Sequence, residues 1–278
     1  MIPSQTLQLV RHIEGLALRA WPAAEQQPLD GWRLRFNAGV TRRANSVWPN
    51  DAQGSRSLDD KLAIVEAFYV RRGQPARYQV CPASQPAELS AVLERRGYRA
   101  DAHTSVQTAE TSAVLAATGA RSLPSHPVAI SDTFDARWFA AYCQAEGVRE
   151  REAATRRGIL QRIAARTAYA SLEVDGQAVA TGLGVLEDEW LGVFSMATRP
   201  ESRRAGAATV VLHALAAWGR RRHASHMYLQ VMHGNQPARA LYQRLGFTTL
   251  YDYYYLEAGS VRQRQGANHR PSPVTLML

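Results

Sequence analysis

The sequence predicts a mixed α+β fold, with mostly antiparallel sheet and flanking helices, built from two similar halves. Three observations carry that prediction. Apolar residues recur at helical spacing in some segments, alternate with period two in others, and a strand, loop, helix and strand recur at nearly equal lengths in the two halves. At 278 residues the chain exceeds the usual size of one domain and suits two. Hydrophobic residues make up 46% and charged residues 21%, enough apolar surface for a real core, which excludes global disorder and fibrous repeats.

Each element has a local reason. Leu7, Val10, Ile13, Leu16 and Leu18 form an apolar stripe that predicts an amphipathic helix to about Ala20. Asp30-Gly31 opens the alternating run Trp32-Arg33-Leu34-Arg35-Phe36, and strand signals continue to about Trp48. Ser57 can cap a helix over 58–72, with Asp60 placed as in a capping box. Residues 78–80 read as a short strand, 86–96 as a helix stopped by Gly97, and 104–108 as a strand. Ser122, Pro124, Ser125 and Pro127 mark a linker.

The second half opens with a short strand at 128–130 and helices near 135–144 and 150–165. Strands at 169–174, 177–186 and 190–198 follow, joined by turns at Asp175-Gly176 and Glu187-Asp188-Glu189. A helix over 206–221, a strand at 227–231, a helix over 237–245 and strands near Thr248 and Tyr253 complete it. Tyr251, Tyr253, Tyr254 and Tyr255 are expected to alternate across that last strand. The helix, glycine and aromatic of 91–98 (AVLERRGY) superpose on 240–247 (ALYQRLGF). The division that follows is residues 1–120, a linker at 121–127, a second unit at 128–257 and a tail at 258–278.

Charge narrows the function classes. Lys61 is the single lysine among 33 basic residues, against 24 acidic ones, a net charge of +9, so lysine chemistry is disfavoured. The basic excess is spread over both halves rather than gathered in an arm, which argues against nucleic acid as a partner. Cys81 and Cys143 have no partner at metal-site spacing, and His213, His223, His226 and His233 form no ligand pattern, so no metal is expected. No stretch reaches the roughly 18–20 apolar residues of a membrane span, and no signal segment is evident. A cytoplasmic protein with no membrane partner is the expectation, its oligomeric state open.

The chemistry concentrates where a strand ends and a helix opens, at Thr198-Arg199-Pro200-Glu201-Ser202-Arg203-Arg204-Ala205-Gly206-Ala207-Ala208. Small residues let a ligand approach the backbone, and the free N–H groups of a helix start attract phosphate oxygens. Neither dinucleotide nor Walker spacing is met. The loop resembles the acyl-CoA-binding motif R/Q-x-x-G-x-G/A of the GNAT superfamily of N-acetyltransferases, with Arg203, Gly206 and Ala208 at its defining positions. Residues 235–247 resemble the same superfamily's N-x-x-A-x-x-L-Y-x-x-x-G-F motif, and the resemblance covers about 128–257.

That resemblance implies acetyl-CoA as cosubstrate and direct transfer of acetyl to an amine. It implies that the backbone of Arg203, Arg204, Ala205, Gly206, Ala207 and Ala208 holds the pyrophosphate. Met196, Ala197 and Thr198 would pair with the pantetheine arm, Asn235 and Ala238 would border it, and Tyr242 would protonate the departing thiolate. A phenol near pKa 10 suits a thiolate near 8.5. The glutamate that some relatives carry early in the fourth strand is missing from Leu191-Gly192-Val193-Phe194-Ser195, so no general base is assigned; Glu187, Asp188 and Glu189 read as a solvated hairpin.

The first half lacks this equipment, because Leu93 stands where Tyr242 does and 51–57 (DAQGSRS) replaces the phosphate loop. Its run 39–49 resembles a segment of two-domain GNAT proteins with a degenerate first copy, making Asn45 and Trp48, with Phe194 in the second half, candidate acceptor-site residues. The acceptor pocket is expected from 142–151 and the first half. The leading expectation is acetylation of the primary amine of a small molecule. A peptide or protein acceptor, and a noncatalytic binding module, are the alternatives.

Overall fold

The protein is described by a computed structural model over residues 3–51, 54–119 and 127–259. The expected linker and tail therefore lie almost entirely outside the described residues. The first half runs α1 (Ser4–Ala20), β1 (Glu25–Leu29), β2 (Trp32–Phe36), β3 (Val47–Trp48), α2 (Leu58–Val70), β4 (Arg77–Val80), α3 (Leu89–Arg95), β5 (Arg99–Glu110) and α4 (Thr111–Gly119). The second continues β6 (Val128–Ser131), α5 (Ala136–Glu146), α6 (Glu150–Gln161), β7 (Arg166–Val174), β8 (Gln177–Glu187), β9 (Trp190–Thr198), α7 (Ala207–Arg220), β10 (His226–Met232), α8 (Gln236–Arg244) and β11 (Thr248–Glu257).

All these strands join one mixed, mostly antiparallel sheet in the order β1-β2-β3-β4-β11-β5-β10-β9-β8-β7-β6. Only β3 with β4 and β9 with β10 pair in parallel. Outward from the central β11–β5 pair, β4-β3-β2-β1 on one side matches β10-β9-β8-β7 on the other, with β6 added beyond β7, but the two central strands are exchanged. β4 pairs with β11 rather than with β5, and β10 pairs with β5 rather than with β11. Each half thus supplies a strand to the other's side of the sheet, and the two sides share one backbone hydrogen-bond ladder.

Packing explains the main elements. The stripe of α1 buries Val10, Ile13, Leu16 and Ala17 in a cluster with Trp138, Tyr142, Phe194 and Tyr228, spanning both halves. α7 buries Val210, Val211, Leu212 and Leu215 on the opposite face. There Gly182 is required by close approach, since a Cβ would meet Met196 Sδ at 2.6 Å and Val211 Cγ1 at 2.7 Å.

Several boundaries differ from the sequence expectation. β1 was hidden by its composition: an edge strand, Glu25–Leu29, exposed along four of its five residues and carrying Pro28, has no apolar alternation to read. α4 is built of small residues with no charge pattern, and Thr118 hydrogen-bonds His213 Nδ1 of α7 at 2.7 Å to dock it. The strand signal through 37–46 is a turn-rich loop, because Ala38, Gly39 and Thr41 adopt positive φ. The two short strands expected near Thr248 and Tyr253 are one strand, β11, irregular in register between Thr249 and Tyr251 and again between Tyr253 and Tyr255.

Candidate functional site

The site begins where two parallel strands part. β9 and β10 pair only from Trp190 with His226 to Val193 with Leu229. Beyond that point β9 bulges: its register against β8 shifts between Thr181 and Leu183, and Ser195 takes φ 49°. On the side facing β10, the backbone from Phe194 to Thr198 has no strand partner. An unpaired edge of this kind can receive an extended amide-bearing chain by strand addition.

The end of β9 leads into a single 3-10 turn, Pro200–Ser202, and then into α7. Arg204 (φ 63°) and Gly206 (φ 84°) are both left-handed, and only the glycine takes that geometry without strain. Among the described residues no backbone acceptor serves the N–H groups of Arg204, Ala205 and Gly206, and α7 starts without a side-chain cap or an acidic first turn. Free donors, the positive end of a helix dipole and the exposed Arg203 and Arg204 together suit an anionic group.

Opposite stands α8. Asn235 caps it, its Oδ1 accepting from Ala238 N–H at 3.3 Å. Two turns on, Tyr242 is 8% exposed and packs edge-on against Phe247 at 5.8 Å. Burial pushes its phenol up to about 12. Met196, Asn235, Ala238 and Tyr242 line one cleft of about 430 Å³, with Phe194 and Ser195 at the bulge.

The rest of that cleft comes from segments far apart in sequence. Trp21 follows α1; Thr41, Arg42 and Arg43 belong to the 37–46 loop; Ala102 and Thr104 lie on β5, Tyr142 and Glu146 on α5, Tyr253 and Tyr255 on β11. Tyr142 stacks on Trp138 at 5.4 Å and accepts a hydrogen bond from Arg156 Nη1 at 2.8 Å, which fixes the wall it forms. Glu146 is the one carboxylate lining the cleft among the described residues. Burial raises its pKa, with Arg156 and Arg203 pulling the other way.

Asn45 does not line the cleft. Its side chain is committed inside the 37–46 loop: Oδ1 accepts from the N–H groups of Asn37 (2.8 Å) and Gly39 (3.0 Å), and Nδ2 donates to the carbonyls of Val40 and Thr41 (each 2.7 Å). Both lone pairs and both hydrogens are used, so it shapes the loop and has nothing left for a substrate. Trp48 is also turned away, donating to Glu14 Oε2 at 3.1 Å in a buried polar cluster with Gln79 and Tyr251. Glu187 pairs with Arg19 at 2.5 Å and, with Asp188, borders a separate groove of about 800 Å³. None of the motif residues lines that groove.

The sequence matches the family described as Probable histone acetyltransferase Rv0428c C-terminal over residues 8–256. The chain belongs to this family. It is a GNAT-type N-acetyltransferase, 28% identical over 248 residues to the uncharacterized N-acetyltransferase YobR of Bacillus subtilis, a match covering 88% of this chain and 97% of that one. It is 27% identical to the probable histone acetyltransferase Rv0428c of Mycobacterium tuberculosis over 253 residues, 91% of this chain and 75% of that one.

Solved structures share the fold of this N-acetyltransferase. A GCN5-related N-acetyltransferase from Kribbella flavida superposes with a TM-score of 0.64 at 16% identity, covering 93% of this chain and 98% of that one. A tandem GNAT protein from the clavulanic acid biosynthesis pathway superposes with 0.62 at 13% identity, over 89% and 88%.

Within the N-acetyltransferase, the cleft brings together Met196, Asn235, Ala238, Tyr242 and Phe194 of the residues expected from sequence, with Ala197 and Thr198 on the unpaired edge and 203–208 at its end. Sequence reasoning missed Arg43, Glu146 and the β11 phenols. Two of these lay in segments expected at the acceptor side, Glu146 inside 142–151 and Arg43 inside the run 39–49, though neither residue was itself singled out. No described helix is long and apolar enough to cross a membrane.

Proposed function

We propose that the enzyme transfers acetyl from acetyl-CoA directly to the primary amine of a small molecule, with both substrates held together in the 430 Å³ cleft. The observation that carries this reading is one cleft lined by Met196 of the unpaired β9 edge and by a buried phenol, with the uncapped α7 start following that edge in the chain. The 203–208 backbone would hold the pyrophosphate, the Met196 to Thr198 edge would pair with the pantetheine amides, and Asn235 Nδ2 would border that arm, its Oδ1 being used as the helix cap.

In the transfer step the neutral amine attacks the thioester carbonyl. A C–N bond forms, the C–S bond breaks, the thiolate takes the Tyr242 hydroxyl proton, and the proton shed by the new amide nitrogen restores the phenol by way of solvent. A phenol pushed up to about 12 stays protonated at every physiological pH, though the same burial makes it a weaker acid towards the thiolate than an ordinary phenol. Glu146, with its pKa raised by burial, is the cleft carboxylate suited to take the proton that the ammonium must lose.

We read the first half as a degenerate copy of the same unit. Its corner before α2 carries Ser57 and two aspartates rather than an open anion site, and Leu93 replaces the phenol. Its role is to wall the acceptor side with Trp21, Thr41 and Arg43. A protein acceptor, suggested by the name of the mycobacterial relative, is the second reading; a cleft walled on that side by Trp21, Thr41 and Arg43 of the first half favours a small molecule. The test measures thermal stabilisation by acetyl-CoA and CoA, then CoA release with free amines against lysine peptides. Stabilisation together with release on small amines is expected. Preference for peptides would overturn the acceptor, and no stabilisation would overturn the donor.

A further inference from the structure

Arg43 is unusual among the cations around the cleft. Arg42 beside it pairs with Asp101 at the rim. Arg43 instead lies over the cleft aromatics, 5.5 Å from the ring centroids of both Trp21 and Phe194, which are themselves stacked at 6.1 Å. Its buried Nε donates to nothing, and no carboxylate stands within ion-pair distance of it among the described residues.

The groups facing it are mostly phenols, Tyr253, Tyr255 and Tyr228, of which burial keeps Tyr255 and Tyr228 protonated. Glu14 shares a narrow pocket with Arg43, Arg35, Gln79 and Gln230 and attracts both guanidinium groups from beyond ion-pair distance, but its carboxylate is already taken up by Tyr251, Trp48, Asn50 and Gln79. A guanidinium carries its charge at any relevant pH; Tyr253 hydrogen-bonds this half-buried one, but no carboxylate pairs with it, and holding a charge there without a counter-ion is costly. The chain bears that cost beside Phe194, one residue from the bulge where β9 opens.

We propose that Arg43 receives the carboxylate of the acceptor, so that the substrate class is a small amine carrying a carboxylate, an amino acid or a close homologue. The inference rests on the acetyl-transfer reading and narrows its acceptor. A guanidinium fork matches a planar carboxylate with two parallel hydrogen bonds, and the aromatic pair beneath it fixes its plane. One cation balances a monoanion; a phosphate monoester would bring a charge of about −2, and Arg42, the second cation on this wall, is already paired with Asp101. Polyamines and amino sugars bring positive charge towards Arg43 and no anion to offset it. Asn45 enters here as a positioning residue, because its four hydrogen bonds hold the loop that carries Arg43.

The experiment uses the full chain with acetyl-CoA and compares each amino acid with its carboxamide, which removes the charge and keeps the amine. The acid should be acetylated with a kcat/KM about 10- to 100-fold above its amide, the range of a charge-assisted hydrogen-bonded pair. Arg43→Gln should erase that preference by lowering activity on the acid alone, with thermal stabilisation by acetyl-CoA retained, and Arg43→Lys should restore part of it. The acid–amide comparison on the unaltered chain needs no variant to fold. Equal rates on acid and amide, a preference for polyamines or phosphorylated amines, or an equal loss on both in Arg43→Gln would each overturn the proposal while leaving acetyl transfer intact. Absence of acetyl-CoA binding and of CoA release with any amine would remove the underlying reading as well.

Discussion

Two corners of the sheet, from β3 into α2 and from β9 into α7, occupy matching places on either side of the central strands and are finished in opposite ways. At α2 the chain satisfies itself: Ser57 Oγ accepts from Asp60 N–H at 3.2 Å and donates to Asp60 Oδ2 at 2.7 Å, while Asp59 and Asp60 lay negative charge over the helix start. At α7 the donors are left open, the first turn holds no acid, and Arg203 and Arg204 stand exposed beside them. The helix that follows repeats the contrast, with Tyr242 of α8 bordering the cleft and Leu93 of α3 filling core. A closed helix start contributes stability, whereas an open one gives up part of that stability to leave room for an anion.

The strongest way to break the contrast is to close the open corner. Gly206→Glu puts a side chain at φ 84° and a negative charge where phosphate oxygens are expected. The strain alone costs about 1–2 kcal/mol, and the charge opposes the ligand directly. We expect acetyl-CoA to lose its thermal stabilisation of the protein and kcat/KM to fall by about 100-fold or more. An unchanged shift with acetyl-CoA would remove 203–208 as the anion site.

The next test removes one oxygen. Tyr242→Phe should lower kcat by about 100-fold while the KM for acetyl-CoA stays within about twofold, the pattern of a proton donor used only in the transition state. Its pH dependence has a definite sign. Burial pushes the phenol up to about 12, so the donor stays protonated through pH 10, where an ordinary phenol would be half ionised. The rate should therefore show no alkaline fall from Tyr242 between about pH 9 and 10.5; a limb centred near 10 would argue against this donor. In the other half, Leu93→Tyr should create no activity.

The two sides of the cleft were unequally legible in the sequence, for a physical reason. Arg203, Gly206, Asn235 and Tyr242 act through local geometry, a strand end, a helix start and one helix face, so their spacing along the chain encodes their placement in space. Trp21, Arg43, Glu146 and Tyr253 meet only because β5 and β11 are exchanged between the halves and carry distant loops to one place. Nothing in the spacing of 21, 43, 146 and 253 records that. Asn45 illustrates a second limit, since an asparagine whose four hydrogen-bonding positions are all used inside its own loop reads like one offered to a ligand. β1 was invisible for a third reason: an exposed edge needs no apolar alternation.

The smallest effect separates the two corners most cleanly. Ser57→Ala removes a cap whose replacement by alanine typically costs about 1 kcal/mol, which in a chain of this size lowers the thermal midpoint by about 2–4 °C. If α2 serves stability alone, the KM for acetyl-CoA and the rate on every amine should be unchanged at temperatures well below that midpoint. The shared sheet makes this a demanding control, because β4 of the first half pairs with β11, whose Tyr253 and Tyr255 line the cleft. A loosening of α2 that reached the site would therefore appear first as a raised KM for the acceptor amine, with acetyl-CoA binding untouched. That outcome would mean the closed corner also tunes the acceptor wall, whereas a stability loss with both constants intact would confine it to holding the wall up.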